Sequence, residues 1–541
     1  MASVSVIMAV LIPIAFSIAA WHSSFFYDDA YMFYRYAYNL RHFHAIIWNQ
    51  NGPHTYGTTS LPWMLVVTVF SYLPLSPVIV LPMASSLCFI AALVLLAYGF
   101  SKNACSATLQ DFWLVFFLLT LSLATSTTFL YAVTNGMETM LSFLANAVLC
   151  LLTWKIIKSN PDNKIIFLLS GAAFAAYLIR PESGICDLLT PALAMFLLQR
   201  TGSVPKILTF WLTTSALILA QLWACHMYFG SALPLSFYIK STGMMKAANS
   251  FTPAWTMFFY AFFGIAAIFL SLIALAGRRI HLKLLAVYLL PTFLTVLYLA
   301  RVVQISGDYG RYYVPFLPYV VLPAFLILDE YIFNGFPITP KEFLPRFAMV
   351  AIFIALASES YGEQIWKRAG YISTVHPVST QADSYVEKDS DLPVMTWKQS
   401  IQAISNDVAC KLPSGVRMAA GEVGYLSGMC RTIWISDLSG LNDRHIAQQG
   451  FSSKYMLDQR PDLIWLPIQG YTVWRSEILS DPRFQQQYSY ISGAFNFGIA
   501  IRKDSRYYAQ ILSVLRAAWP KYYPNTCVAP ICEGQPIASL R

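Results

Sequence analysis

Leu61-Pro62-Trp63-Met64-Leu65-Val66-Val67-Thr68-Val69-Phe70-Ser71-Tyr72-Leu73-Pro74-Leu75 is apolar but spans only 15 residues, about 22 Å as a helix against the ~30 Å of a bilayer's hydrocarbon. Whether it crosses decides the side on which every later loop lies. If it did, Lys102, then Lys155, Lys158 and Lys164, then Arg200 and Lys206, then Arg278, Arg279 and Lys283, and finally Lys341 and Arg346 would all face outward. Basic residues favour the cytoplasmic side. The stretch therefore reads as an in-plane helix on the outer leaflet, with Pro62 in its first turn and Trp63 at the interface. The N-terminus is then cytoplasmic and the polar C-terminal region lies outside.

Of the 541 residues, 57% are hydrophobic and 12% charged, and the mean hydropathy is +0.53. Soluble domains carry about a quarter charged residues, so this is the pattern of a polytopic α-helical membrane protein. The formal net charge of +9 sits in lysines and arginines set between apolar runs. They form no basic patch, and nucleic acid is not an expected partner. Runs at 3–21, 77–99, 112–131, 139–154, 165–179, 184–198, 207–225, 253–276, 283–300, 314–329 and 346–358 predict about 11 transmembrane helices in a domain covering 1–359, several of them short enough to lean on neighbours. Ser17-Ile18-Ala19-Ala20 resembles a cleavage site, but the run before it has no basic flank. Cleaved or kept, it leaves the loop at 22–76 outside.

From 360 to 541 the sequence turns polar and rich in turns. Trp397 to Lys411 has helical spacing, Val416 to Ala420 and Thr432 to Ser436 read as strands, and Tyr488 to Arg502 alternates like a hairpin around Gly493. A soluble mixed α/β domain fits this region. Cys88, Cys105, Cys150, Cys186 and Cys225 lie in or beside spans, where a small apolar residue is the default reading. Cys410 with Cys430, and Cys527 with Cys532, suit two disulfides in an oxidising compartment. No cysteine pair has zinc spacing with histidines, so neither a metal nor a cofactor is expected.

Ionisable residues collect at the outer ends of spans. Asp28 and Asp29 follow the first run by about seven residues, and a carboxylate pair at headgroup depth suits proton abstraction at the membrane surface. Glu138, Arg180, Glu182, Asp187, His226, Lys240, Asp308 and Arg311 share that level, and almost none of the chain's charge lies at mid-bilayer depth. Such a set describes an outward-facing cavity. Arg180, Lys240 and Arg311 would clamp a phosphate, and Glu138, Glu182, Asp308, His54, Tyr56 and Tyr238 would position a sugar or its acceptor. Each member also has a plain structural reading: Glu138 as a helix terminator, Arg180 as an anchor paired with Glu182, and the histidines as surface residues.

Asp28-Asp29-Ala30-Tyr31, Arg35-Tyr36-Ala37-Tyr38-Asn39-Leu40, Trp48-Asn49 and Tyr56-Gly57-Thr58-Thr59-Ser60-Leu61-Pro62-Trp63 resemble the opening of GT-C glycosyltransferases, with the mycobacterial terminal β-arabinofuranosyltransferases as the nearest group. Asn135-Gly136-Met137-Glu138-Thr139, Arg180-Pro181-Glu182, Tyr228-Phe229-Gly230 through Leu233-Pro234 to Lys240, Gly307-Asp308 with Arg311-Tyr312, and Gly440-Leu441-Asn442-Asp443 with His445-Ile446-Ala447 are similar to later motifs in order. The resemblance implies a multispan fold with juxtamembrane helices in the first outer loop, a polyprenyl-phosphate sugar donor, and an acidic catalytic residue matched here by Asp28 and Asp29. Pro53-His54-Thr55 and Gln304-Ile305-Ser306 depart from the pattern, which leaves the sugar and acceptor open.

The expectation is a glycosyltransferase of the bacterial inner membrane, with active site and C-terminal domain facing the periplasm. It would move a sugar, D-arabinofuranose on the nearest resemblance, from a polyprenyl phosphate to an extracytoplasmic glycan, a lipopolysaccharide or a pilin-like protein. Asp28 or Asp29 would be the base. A glycan translocase and a non-catalytic assembly protein are the alternatives; the first requires a polar path through the membrane, and the second requires that the aspartates be dispensable.

Overall fold

The computed structural model describes residues 27–103, 127–159, 162–198, 203–241, 282–301, 311–324, 326, 392–468, 472–524, 526 and 528–532. The first loop, expected to lie outside, carries two helices, α1 (Ala30–Phe43) and α2 (Leu61–Phe70). Helix α2 has 10 residues, about 15 Å, and is too short to cross hydrocarbon. The Ser60 hydroxyl starts it by accepting the Trp63 N–H at 3.3 Å, with Pro62 in the first turn. Leu65, Val69, Tyr72, Leu73 and Leu75 are exposed, an apolar edge suited to lipid. Trp63 corrects the expectation of an interfacial anchor. It is fully buried, and its indole donates to the Gly136 carbonyl at 3.0 Å.

In hydrocarbon, backbone groups must be satisfied within the segment, which makes charge-poor apolar runs helical. The bundle helices are α3 (Pro77–Asn103), α4 (Thr127–Thr134), α5 (Thr139–Lys158), α6 (Asn163–Ile179), α7 (Gly184–Leu198), α8 (Ser203–Phe229), α9 (Leu235–Ser241), α10 (Leu282–Arg301) and the short apolar α11 (Val314–Ala324). Among the described residues, five helices are long and apolar enough to span: Pro77–Gly99, Thr139–Lys158, Pro181–Leu198, Val204–Phe229 and Leu282–Leu299. The expected spans at 3–21, 253–276 and 346–358, and most of 112–131, lie outside the described residues. Helices α3, α5, α6, α7, α10 and α11 share one apolar core. Helix α8 is peripheral and exposes Leu212, Leu219 and Trp223.

The C-terminal region holds a five-stranded sheet in the order β2-β1-β3-β5-β4. The strands are β1 (Arg417–Ala420), β2 (Trp434–Asp437), β3 (Leu463–Trp465), β4 (Tyr488–Ile491) and β5 (Ile499–Arg502). β1 runs parallel to β2 and β3, whereas β5 is antiparallel to β3 and β4. The hairpin turns through Gly493 at φ +68°, as the alternation around it predicts. Trp397 to Lys411 is helical in three joined pieces, opened by a Thr396–Gln399 capping box. β3 escapes sequence reading because three consecutive buried apolar residues carry no alternation. Cys410 and Cys430 are disulfide-bonded; Cys532 is also in a disulfide, and Cys527 lies outside the described residues. Cys88, Cys150, Cys186 and Cys225 are free thiols.

This domain is seated on the first outer loop, and Arg35 makes the seat. The buried guanidinium donates to the Trp48 carbonyl (2.6 Å) and the Asn49 Oδ1 (2.8 Å) on its own loop, and to the carbonyls of Ser427 (3.3 Å), Cys430 (3.1 Å) and Ile433 (3.1 Å) across the interface. Asn49 extends the edge of β2: its Oδ1 accepts the Ile435 N–H at 2.8 Å and its Nδ2 donates to the Ile435 carbonyl at 2.9 Å. The Trp48 indole donates to the same carbonyl at 2.9 Å, and the Tyr36 hydroxyl to Asn442 Oδ1 at 2.8 Å. A methyl group on Gly57 would overlap Asn442 and the Tyr36 hydroxyl, which is why that motif position is glycine.

Replacing Arg35 by Met keeps the bulk and strands several buried carbonyls. We expect a loss of about 3–5 kcal/mol, read as a lower thermal midpoint and faster proteolysis of residues 392–532. Arg35→Lys should rescue little, because an ammonium lacks the planar fork. Unchanged protease resistance in Arg35→Met would refute this role.

Candidate functional site

The two adjacent aspartates have separate fates. Asp28 is buried, and its carboxylate accepts the backbone N–H groups of Gly424 (2.8 Å) and Tyr425 (2.7 Å) in the C-terminal domain. Those amides open α12 (Gly424–Met429), so Asp28 serves as a latch. A side chain on Gly424 would collide with the Asp28 backbone. Asp29 precedes α1 yet makes no capping bond with its side chain; the Tyr27 hydroxyl lies 3.5 Å from its Oδ2.

Tyr27 joins Asp29 to an arginine pair. The Arg311 guanidinium lies over the Tyr27 ring at 4.6 Å and near that of Tyr312 at 5.1 Å, and Arg180 lies over Tyr312 at 4.6 Å. The two cations are not equivalent. Arg180, at the end of α6, donates from Nε to Glu182 Oε1 at 2.8 Å, makes a second short bond from Nη2 to the same oxygen, and sits 3.6 Å from Glu138. Arg311 is buried, and its Nε and Nη1 have no hydrogen-bond partner. Two desolvated donor nitrogens without acceptors are costly unless an anion completes them.

Local sequence explains this convergence. In Asn135-Gly136-Met137-Glu138, Asn135 Oδ1 accepts the Met137 N–H at 2.9 Å and Gly136 takes φ +76°, so the chain turns into α5. Glu138 occupies the capping position but makes no cap; its carboxylate faces Arg180. Pro181 ends α6 by forcing Arg180 into an extended conformation.

Other expected site residues lie apart. Tyr56 stacks on Phe229 at 4.7 Å and its hydroxyl accepts from Gln221 at 3.4 Å, both on α8. His54 stacks on Tyr228 at 4.1 Å with Nδ1 against the Tyr228 carbonyl, at the surface. The Tyr238 hydroxyl accepts from Ser231 at 3.2 Å, and Tyr238 packs against the apolar cluster of Leu235, Ile239 and Ala447. These three join the first loop, α8 and α9, and none has a described contact with the arginine pair. Asp308 and the side chain of Lys240 lie outside the described residues. Among the described residues, no group of three or more His, Cys, Asp or Glu is arranged to hold a metal ion.

Sequence reading missed Glu422 and Asp437, which approach the aspartate pair from the C-terminal domain. Glu422 follows β1 and Asp437 ends β2. Loops at the carboxyl ends of parallel strands are the usual place for functional groups, and Val416 to Ala420 followed by Gly421-Glu422 carried that signal. Asp437 is held by both the N–H and hydroxyl of Ser439 and by two donors of Asn442.

Burial, then the neighbouring Asp29, pushes the Asp28 carboxyl from its ordinary 3.8 up to about 7, against the pull of the two amides. Burial also raises Asp437 from 3.8 to about 6 despite its hydrogen bonds. Glu422 is raised by burial and by Asp28, Asp29 and Asp437. A raised carboxyl binds more protons when docked than when free, so docking stability is fully present below the ordinary value of 3.8 and is lost as pH rises to about 7. The Gly424 and Tyr425 amides should therefore exchange hydrogen faster at about pH 8 than at about pH 5 after correction for intrinsic exchange. Asp28→Asn should flatten that slope, and equal protection at both pH values would show that these acids ionise without penalty.

Compared with known proteins, the chain matches no family model, no curated protein and no solved structure.

Proposed function

We propose that this chain is a polyprenyl-phosphate-dependent glycosyltransferase of the bacterial inner membrane, with about 11 spans and its site on the periplasmic side. The observation that carries the reading is the placement of Arg311 and Asp29 around Tyr27: a buried cation with two unpartnered donor nitrogens, and a carboxylate within reach of the same tyrosine. Arg311 receives the phosphate of the lipid carrier, as a guanidinium fork suits phosphate oxygens. Asp29 is the base, because both oxygens of Asp28 already accept backbone amides.

In the reaction, Asp29 removes the proton from an acceptor hydroxyl and that oxygen bonds to the anomeric carbon of the sugar. The bond from that carbon to the phosphate oxygen breaks, and the carrier leaves as a polyprenyl phosphate whose added negative charge Arg311 offsets. Glu138 and Glu182 fix Arg180 beside Tyr312 and so keep the Arg311 side of the site in shape. The sugar is a pentofuranose such as D-arabinofuranose, and the acceptor a cell-wall glycan, lipopolysaccharide or pilin-like protein.

Transfer from a panel of defined polyprenyl-phosphate sugars tests this. Asp29→Asn should lower the rate by about 10²–10⁴-fold with the C-terminal domain still docked, and Asp28→Asn should loosen docking and lower the rate less. Wild-type turnover in Asp29→Asn, or no transfer by the intact chain from any donor in the panel, would end the proposal.

A further inference from the structure

Helices α5 and α7 carry a second polar group of a different kind. Ser142 and Asn146 lie one turn apart on α5; Asp187 and Thr190 lie one turn apart on α7. All four are at most 1% exposed. Asn146 donates to the Pro315 carbonyl at 2.7 Å, and Tyr319, one turn further along α11, donates to Asp187 Oδ1 at 3.4 Å. Asp187 is also within electrostatic reach of Cys150, one turn beyond Asn146. The two stripes therefore converge on the same turn of α11.

Their remaining oxygens are unused. Asp187 Oδ2, Asn146 Oδ1, Ser142 Oγ and Thr190 Oγ1 are buried without a hydrogen-bond partner. On other helices of the bundle, Ser170, Thr214, Thr292 and Thr295 each donate to the carbonyl four residues back, at 2.8–3.0 Å. That is the ordinary solution for a buried hydroxyl in a helix. Thr139 and Thr153 on α5 and Ser183 just before α7 share the unpaired state of the four, so the unpaired hydroxyls follow the two segments that flank the acid.

We infer that Asp187, Asn146, Thr190 and Ser142 form a binding site for one small monovalent metal cation, set into the bundle below the Arg180–Glu138 ion pair. The donors are hard oxygens, which select alkali and alkaline-earth ions over softer metals. One carboxylate balances one positive charge; a divalent ion would leave the buried site with a net charge, which is costly. The neighbouring cation cannot serve instead, because Arg180 is committed to Glu182 and Glu138. Water alone would satisfy the hydroxyls but would not balance the charge. The site is separate from Arg311 and does not depend on the proposed transfer reaction.

The test is the thermal midpoint of the purified full chain in sodium, lithium, potassium or choline chloride at matched ionic strength. Wild type should gain stability saturably in at least one alkali salt over choline. Asp187→Asn should abolish that gain, and Thr190→Val and Ser142→Ala, which preserve the fold more surely, should each raise the half-saturating concentration about tenfold. Equal midpoints in all four salts would overturn the site. So would a midpoint that tracks pH with no preference among cations, since it would mean that Asp187 holds a proton, and so would an alkali-salt gain that all three variants keep.

Discussion

The Arg35 guanidinium is the contact on which the architecture turns. It is a full positive charge buried with no carboxylate as a hydrogen-bond partner, held by four backbone carbonyls and an amide oxygen drawn from two regions of the chain. A planar fork accepts acceptors only near its plane, so these bonds fix the angle as well as the position of the C-terminal domain. With that angle set, the Gly424 and Tyr425 amides meet Asp28, and Glu422 comes within electrostatic range of Asp29. The domain is thus a wall of the candidate site and not a separate appendage.

Two arginines a ring apart illustrate how pairing decides chemical availability. Arg180 is neutralised by Glu182 and Glu138, whereas Arg311 is supported mainly by aromatic faces. Ring faces stabilise a cation without using its N–H groups. Arg311 therefore keeps directional donors for a ligand, and Arg180 contributes shape and field.

Local chemistry was legible in the sequence. Pro62 marked the first turn of the short helix α2, Gly493 the hairpin, and Cys410 with Cys430 the disulfide. The closeness of Asp29, Glu138, Arg180 and Arg311 agrees with a reading that set all four at one level. What stayed hidden was the identity of partners across long separations. Trp48-Asn49, Tyr36 and Gly57 read only as motif residues of the first loop, and their contacts are with β2 and Asn442. Asp28 and Asp29 are indistinguishable as letters, and only the amides of a domain almost 400 residues away single out Asp28 as the latch. Trp63 read as an interfacial residue because its neighbours are lipophilic, whereas a carbonyl on α5's approach turn claims its indole.

The bond between Asp28 and Gly424 bridges 396 positions. A ribosome adding about 5–20 residues per second needs roughly 20–80 s to make that length, and throughout this interval the first loop lacks the surface it packs on. The candidate site is therefore assembled only after the C-terminal domain has been made, and a chain cut before residue 424 lacks both amides that hold Asp28.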